Sequence, residues 1–243
     1  MKNMKMLIRI VLMFVAILVT TFVNAQEMNS LSEQQKSIVQ IAALTAKGSL
    51  PALATQLDAG LDAGLTINQI KEVIIHTYAY AGFPRSIRGL QTFMTVLEDR
   101  KAKGIIDKVG VDVSPIHNDD SKYNRGKAVL DSLLGTPQNG PQTGYSAFAP
   151  TIEIFLKEHL FADIFERDIL TYTERELATI AVLSSIGGVE PMLKSHLSIC
   201  LNVGLSAAQL EQFIAVIAST VGEEESEDVK VVLEEVLKSR KAK

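Results

Sequence analysis

Residues 189–210 read VEPMLKSHLSICLNVGLSAAQL, and residues 49–70 read SLPALATQLDAGLDAGLTINQI. A shift of 140 residues lays the earlier stretch on the later one. It sets Pro51 on Pro191, Leu53 on Leu193, Leu57 on Leu197, Leu61 on Leu201, Gly64-Leu65 on Gly204-Leu205 and Gln69 on Gln209. The same shift carries Gly48 onto Gly188, Gly82 onto Gly222, and Arg100-Lys-Ala-Lys103 onto Arg240-Lys-Ala-Lys243. An offset constant over so long a stretch is the mark of an internal duplication, and a period of this length means two domains rather than a solenoid.

Each copy reads as helix. Leu53, Leu57 and Leu61 recur every fourth residue, as do Leu193, Leu197 and Leu201, so each set forms a stripe on one helix face. Pro51 and Pro191 suit a first helical turn, and Gly64 and Gly204 suit a helix end that needs positive φ. Thr66 and Ser206 then offer N-caps to a following helix. Upstream, LSEQQKSIVQIAALTAKG and YTERELATIAVLSSIGG give one more helix per copy. Downstream, PRSIRGLQTFMTVLEDRKAKG and EEESEDVKVVLEEVLKSRKAK give another. No segment alternates polar and apolar residues for long enough to form a strand, and the expected class is all-α. The expected organisation is a leader at 1–25, a first domain at 26–104, a linker with a helical extension at 105–147, and a second domain at 148–243. The linker assignment rests on the Gly, Pro, Asn and Asp of DKVGVDVSPIHNDDSK and GTPQNGPQTGYSAFAP, with KYNRGKAVLDSLLG helical between them.

The 243 residues are 47% hydrophobic and 21% charged, too apolar for a disordered chain. Lys2, Lys5 and Arg9 flank an apolar run from Ile10 to Val23, followed by small residues up to Ala25. This pattern predicts a Sec signal peptide cleaved after Ala25 and a periplasmic or secreted protein. The run is short of the ~20 residues that span a bilayer, so no membrane association is expected after cleavage. Cleavage leaves 21 basic residues against 28 acidic ones, moving the net charge from −4 to −7. Such a chain has no electrostatic reason to bind nucleic acid. Cys200 is the single cysteine, so no intrachain disulfide can form.

KYNRGKAVLDSLLG, FADIFERDILTYTERELATIAVLSSIGG, EPMLKSHLSICLNVGLS and EVIIHTYAYAGFPRSI together resemble the carboxymuconolactone decarboxylase family, whose relatives include the alkylhydroperoxidase D-like proteins. The resemblance covers most of the chain from about Leu31 onward, as two tandem family domains. It implies an all-α fold in which the two copies pack as a pseudo-dimer. It also implies assembly through such domains, here as a homotrimer of two-domain chains, and active residues on the helix that contains His196.

The two chemistries of the family need different side chains. The peroxidase branch needs a Cys-x-x-Cys pair ahead of the histidine, because a thiolate attacks peroxide and a second thiol resolves the sulfenic acid. Val189 and Met192 stand at those positions. Cys200, four residues beyond His196, is left as a possible thiol whose pKa the imidazole would lower, against the alternative of a small buried hydrophobe. The decarboxylase branch needs no cofactor and no metal. It needs a group that holds a carboxylate, stabilisation of an enolate, and a proton donor. The resemblance places these roles on Arg175, Glu176, Glu190 and His196. The alternative for Arg175 and Glu176 is that of solvated charges opening a helix.

The copies are not equivalent. At the constant offset, Gln56 replaces His196 and Gln35-Lys36 replace Arg175-Glu176. The first copy alone keeps HTYAYAGFP, in which His76 and Tyr80 share a helix face and Phe83 follows the Gly turn. His76, Tyr80 and Phe83 are therefore expected to bind a small-molecule substrate, completing a site that neither copy holds alone. That arrangement requires the His196 imidazole and the Tyr80 hydroxyl to line one cavity. A non-catalytic scaffold is the competing expectation. His159, with acidic neighbours in one helix, and His117 in the linker do not make a metal site of convincing spacing.

Overall fold

Four side-chain capping boxes set the starts of four helices among the described residues. Ser32 with Gln35, Thr66 with Gln69, Thr171 with Glu174 and Ser206 with Gln209 each exchange hydrogen bonds between an N-cap side chain and the third helical residue. The computed structural model describes residues 29–241 and contains helices and loops only among them. The expected signal peptide lies outside the described residues, and no described helix is long and apolar enough to cross a membrane.

The first copy is α1 (Glu33–Lys47), α2 (Leu50–Asp62) and α3 (Ile67–Ala102). An extension follows, made of α4 (Lys122–Leu134), the short α5 (Gly144–Phe148) and α6 (Pro150–Phe155), and a π-helical stretch, Leu156–Phe165. The second copy is α7 (Tyr172–Ile186), α8 (Glu190–Asn202), α9 (Ala207–Thr220) and α10 (Glu223–Lys241). Gly82, at φ 81° and ψ 162°, bends α3 ahead of Pro84. The chain breaks at the equivalent Gly222 between α9 and α10.

The copies pack about a pseudo-two-fold axis. α1 and α7 lie against each other at the centre, α3 of the first copy packs on α7, and α9 of the second packs on α1. Both central helices are buried over most of their length, as this position requires. Ile38, Val39, Ile41, Ala42 and Ala43 of α1 and Leu177, Ala178, Ile180, Ala181 and Val182 of α7 are fully buried in one core. The leucine stripes join it: Leu53, Leu57 and Leu197 are fully buried, each worth about 1.5–3 kcal/mol of transfer free energy. The duplication extends to polar contacts. Arg100 at the end of α3 reaches Asp58 at 2.6 Å and Asp62 at 2.9 Å, and Arg240 at the end of α10 reaches Ser198 and Asn202, the residues 140 further on.

One part of the sequence alignment needs correction. α1 begins at Glu33 and α7 at Tyr172, an offset of 139, while α2 and α8 are offset by 140. The second copy takes up the extra residue in its turn, where Gly187 and Gly188 both hold positive φ, at 65° and 71°. The position of Arg175 in the first copy is therefore Lys36, that of Glu176 is Ser37, and that of Thr179 is Gln40. A constant shift hid this because apolar residues crowd both helices and tolerate a slip of one.

Candidate functional site

Glu72, His76 and Tyr80 follow one another at i, i+4 and i+8 and form a polar stripe on α3. It faces Arg175 and Thr179, themselves an i, i+4 pair on α7. The result is a seam of buried polar groups where the two copies meet. Glu72, 1% exposed, accepts Arg175 Nη2 at 2.8 Å and is held two-pronged by Arg167, whose Nε and Nη2 reach its oxygens at 2.8 and 2.9 Å. Arg175 also donates to the Arg167 carbonyl, and its Nη1 reaches His76 Nδ1 at 3.4 Å. His76 Nε2 lies 2.8 Å from Thr179 Oγ1, and the Thr179 hydroxyl donates to the Tyr80 hydroxyl at 3.3 Å.

The second half of the cluster is a histidine–carboxyl pair. His196 Nδ1 lies 2.8 Å from Glu176 Oε2. Glu176 is fully buried, and its other oxygen, Oε1, has no hydrogen-bond partner. The His196 side chain keeps 13% of its surface exposed. Its ring meets the Tyr80 ring edge-to-face, with centroids 5.9 Å apart. The structure thus brings His196, Glu176, Arg175, His76 and Tyr80 together from both copies. The rings of His196 and Tyr80, which were expected to line one cavity, are in direct edge-to-face contact.

Electrostatics follow from burial. The His76 imidazole is held well below its ordinary pKa of 6.5, first by desolvation and then by the Arg175 and His196 charges. Burial raises the Tyr80 phenol, with Glu176 adding to the effect. Desolvation lowers the Arg175 guanidinium, opposed by its bonds to Glu72.

Other expected residues sit differently. Cys200 is fully buried, and desolvation, with the Glu176 charge second, pushes its thiol well above its ordinary value. The expected lowering by His196 is thereby reversed, and the side chain packs as a small hydrophobe in the main core. Glu190 is exposed at the start of α8, where its carboxylate accepts the Gly188 N–H at 3.0 Å. It lies six residues before His196, about 120° round that helix from it. Phe83 is 63% exposed and stacks on Tyr78 at 4.5 Å. Arg175 and Glu176 are not solvated charges at a helix opening, since both are fully buried. Nor is Arg175 free to receive a substrate carboxylate through its terminal nitrogens, because Glu72, His76 and the Arg167 carbonyl engage them.

Sequence reasoning missed Glu72, Thr179, Arg167 and Phe165. The first two were marked by spacing: Glu72 extends the His76-Tyr80 stripe by one turn, and Thr179 lies one turn beyond Arg175. The other two come from the extension and the loop after it, and no local pattern announces which side chains a distant helix will meet.

The extension covers the seam. α4 packs on the π-helical stretch, and a second apolar cluster of Val129, Leu133, Leu160, Phe161, Ile164 and Phe165 forms between them. Phe165 meets the His76 ring edge-on at 5.1 Å, and Tyr80 packs against the same cluster. Among the described residues no helix packs over the pseudo-equivalent seam, between α1 and α9, in the same way. It is an open groove of about 520 Å³ whose lining includes Lys36, Ser37, Gln40, Gln212 and Val216, the counterparts of Arg175, Glu176, Thr179, Glu72 and His76. No group of three or more His, Cys, Asp or Glu among the described residues is placed to hold a metal ion.

The sequence profile of the carboxymuconolactone decarboxylase family matches residues 17–93 and 150–235, one match to each copy. The chain belongs to the carboxymuconolactone decarboxylase family. The 4-carboxymuconolactone decarboxylase of Acinetobacter baylyi (strain ATCC 33305 / BD413 / ADP1) is similar, at 30% identity over 98 residues that span 40% of this chain and 72% of that protein. In this two-domain member of the carboxymuconolactone decarboxylase family, the polar cluster joins the first matched region, through α3, to the second, through α7 and α8. The 94–149 segment between the matches carries the end of α3, the linker, α4 and α5.

Proposed function

We propose that this protein is a cofactor-free lyase that decarboxylates a lactone bearing a carboxylate, with His196 transferring the proton. One observation carries the reading: a partly exposed imidazole whose Nδ1 is bonded to a fully buried carboxyl at 2.8 Å. A carboxylate at Nδ1 fixes the ring orientation and the tautomer, because it accepts Nδ1–H and leaves Nε2 for exchange with a substrate. In the reaction the bond between the ring carbon and the carboxylate breaks, carbon dioxide leaves, and the electron pair enters the conjugated lactone carbonyl as an enolate. The His196 imidazolium then gives its Nε2 proton to carbon and is recharged from solvent. Family membership and the resemblance to a 4-carboxymuconolactone decarboxylase support a lactone acid as substrate. The absence of Cys-x-x-Cys and the burial of Cys200 argue against thiol peroxidase chemistry.

Steady-state turnover of carboxylated butenolides by the wild type and His196→Ala tests this. The expected result is a loss of at least about a hundredfold in kcat, the usual weight of a proton-transfer group. Equal rates remove His196 from the reaction, and no turnover by the wild type favours a binding scaffold.

A further inference from the structure

We infer that the Tyr80 hydroxyl is the hydrogen-bond donor to the developing enolate, and that Arg175, His76 and Thr179 form a one-way chain that turns its proton outward. This rests on the lyase reading for the reaction, while the chain itself stands on geometry alone.

The direction follows from the fact that a guanidinium donates and never accepts. Arg175 Nη1 at 3.4 Å therefore makes His76 Nδ1 the acceptor. His76 is held neutral within the seam, so its single ring proton must sit on Nε2, which donates to Thr179 Oγ1 at 2.8 Å. Thr179 then spends its own proton on the Tyr80 oxygen, 3.3 Å away. Tyr80 is left as an acceptor from within, with its O–H free to donate elsewhere. Each link polarises the next, and the Thr179 bond and the Arg175 charge partly offset the effect of burial and of Glu176 at the Tyr80 oxygen. Tyr80 also sits beside the group assigned to proton transfer, with its ring edge-to-face on His196.

The placement matches what the reaction requires. When the carbon–carbon bond breaks, charge collects on the lactone carbonyl oxygen, and a preoriented neutral donor in a dry site stabilises it. The same chain explains why fully buried His76 lies one helix turn from Tyr80 without reaching solvent. It acts as a positioning residue, as do Thr179 and Arg175.

Two measurements on the full chain test the inference. Nitrogen-15 NMR of labelled histidine should show His76 protonated at Nε2 and bare at Nδ1 near neutral pH. The opposite tautomer, or an imidazolium, overturns the chain whether or not any substrate is turned over. The second measurement is the binding of tetronate, a lactone with a stable enolate, to the wild type, Tyr80→Phe, Thr179→Val and Thr179→Ser. Expected are affinities about tenfold weaker for Tyr80→Phe and Thr179→Val, with Thr179→Ser near wild type. Where lactone acids are turned over, Thr179→Val should lower kcat by a similar factor and leave KM nearly unchanged. No binding by the wild type, or equal affinity across the variants, overturns the donor role. Tetronate binding without turnover instead sinks the lyase reading and leaves the donor in place.

Discussion

His76 sits neutral in the seam, and this has a cost that depends on pH. Its folded-state pKa lies below the ordinary 6.5, so below that pH the unfolded chain binds a proton that the folded chain refuses. Stability is then lost as pH falls from about 6.5, at up to about 1.4 kcal/mol per pH unit until the folded pKa is reached. His76→Gln removes the titration while keeping an amide oxygen to accept from Arg175 and an amide N–H to donate to Thr179. Chemical denaturation of both proteins between pH 7 and pH 5 should show the wild type losing stability faster. Parallel pH profiles would show that His76 charges freely in the folded protein. At this scale the sequence was informative about residue types and poor about their roles. His196, His76 and Tyr80 were legible as a divided set because each is ionisable where its counterpart, Gln56, Val216 or Thr220, is not. Arg175 was misjudged because nothing local shows that Glu72, 103 residues earlier, is waiting for it.

The element that distinguishes the covered seam from its open counterpart is the extension, and its attachment depends on Gly126. A Cβ at that position of α4 would lie 1.7 Å from the Lys157 carbonyl oxygen and 2.6 Å from its carbon. Both are main-chain atoms of the π-helical stretch, so neither can swing aside. Gly126→Ala should force the two helices apart and destabilise the extension by roughly 1–3 kcal/mol or more. Hydrogen exchange should report it as faster exchange across α4 and Leu156–Phe165, with α1 and α7 unaffected. Uniform loss of protection would mean that the extension and the paired copies unfold as one unit. The existence of α4 was plain in KYNRGKAVLDSLLG, and so were the capped helices of both copies. Where α4 docks was not, because an amphipathic face states that it will be buried without stating against what. The slip between α1 and α7 shows the same limit, since a one-residue difference along a run of adjacent apolar residues leaves no trace until caps fix the ends.

For the whole molecule, duplication followed by divergence gives two related seams of unlike chemistry. The groove between α1 and α9 carries Lys36, Ser37, Gln40 and Val216, with Gln56 in the place of His196, so it lacks both the histidine–carboxyl pair and the chain to Tyr80. Calorimetric titration with tetronate should therefore saturate at one equivalent per chain, and Lys36→Ala should leave both affinity and stoichiometry unchanged. Two equivalents per chain would mean that the groove binds as well.

The ion pair between Glu72 and Arg175 also acts as an address. Two second copies from different chains, paired by the same symmetry, would set Arg175 against Gln212 and bury a cation with no carboxylate to meet it. Two first copies would set Glu72 against Lys36, and His76 against Gln40. A buried charge stripped of its partner costs about 3–5 kcal/mol, so a pair of second copies is penalised before any packing is compared. Two first copies still give Glu72 a cation in Lys36, but every such pair leaves two second copies with Arg175 unmet, so only a first copy facing a second satisfies every half. The label was written into the two halves as they diverged, and it keeps exchange between neighbouring chains from producing like-with-like pairs.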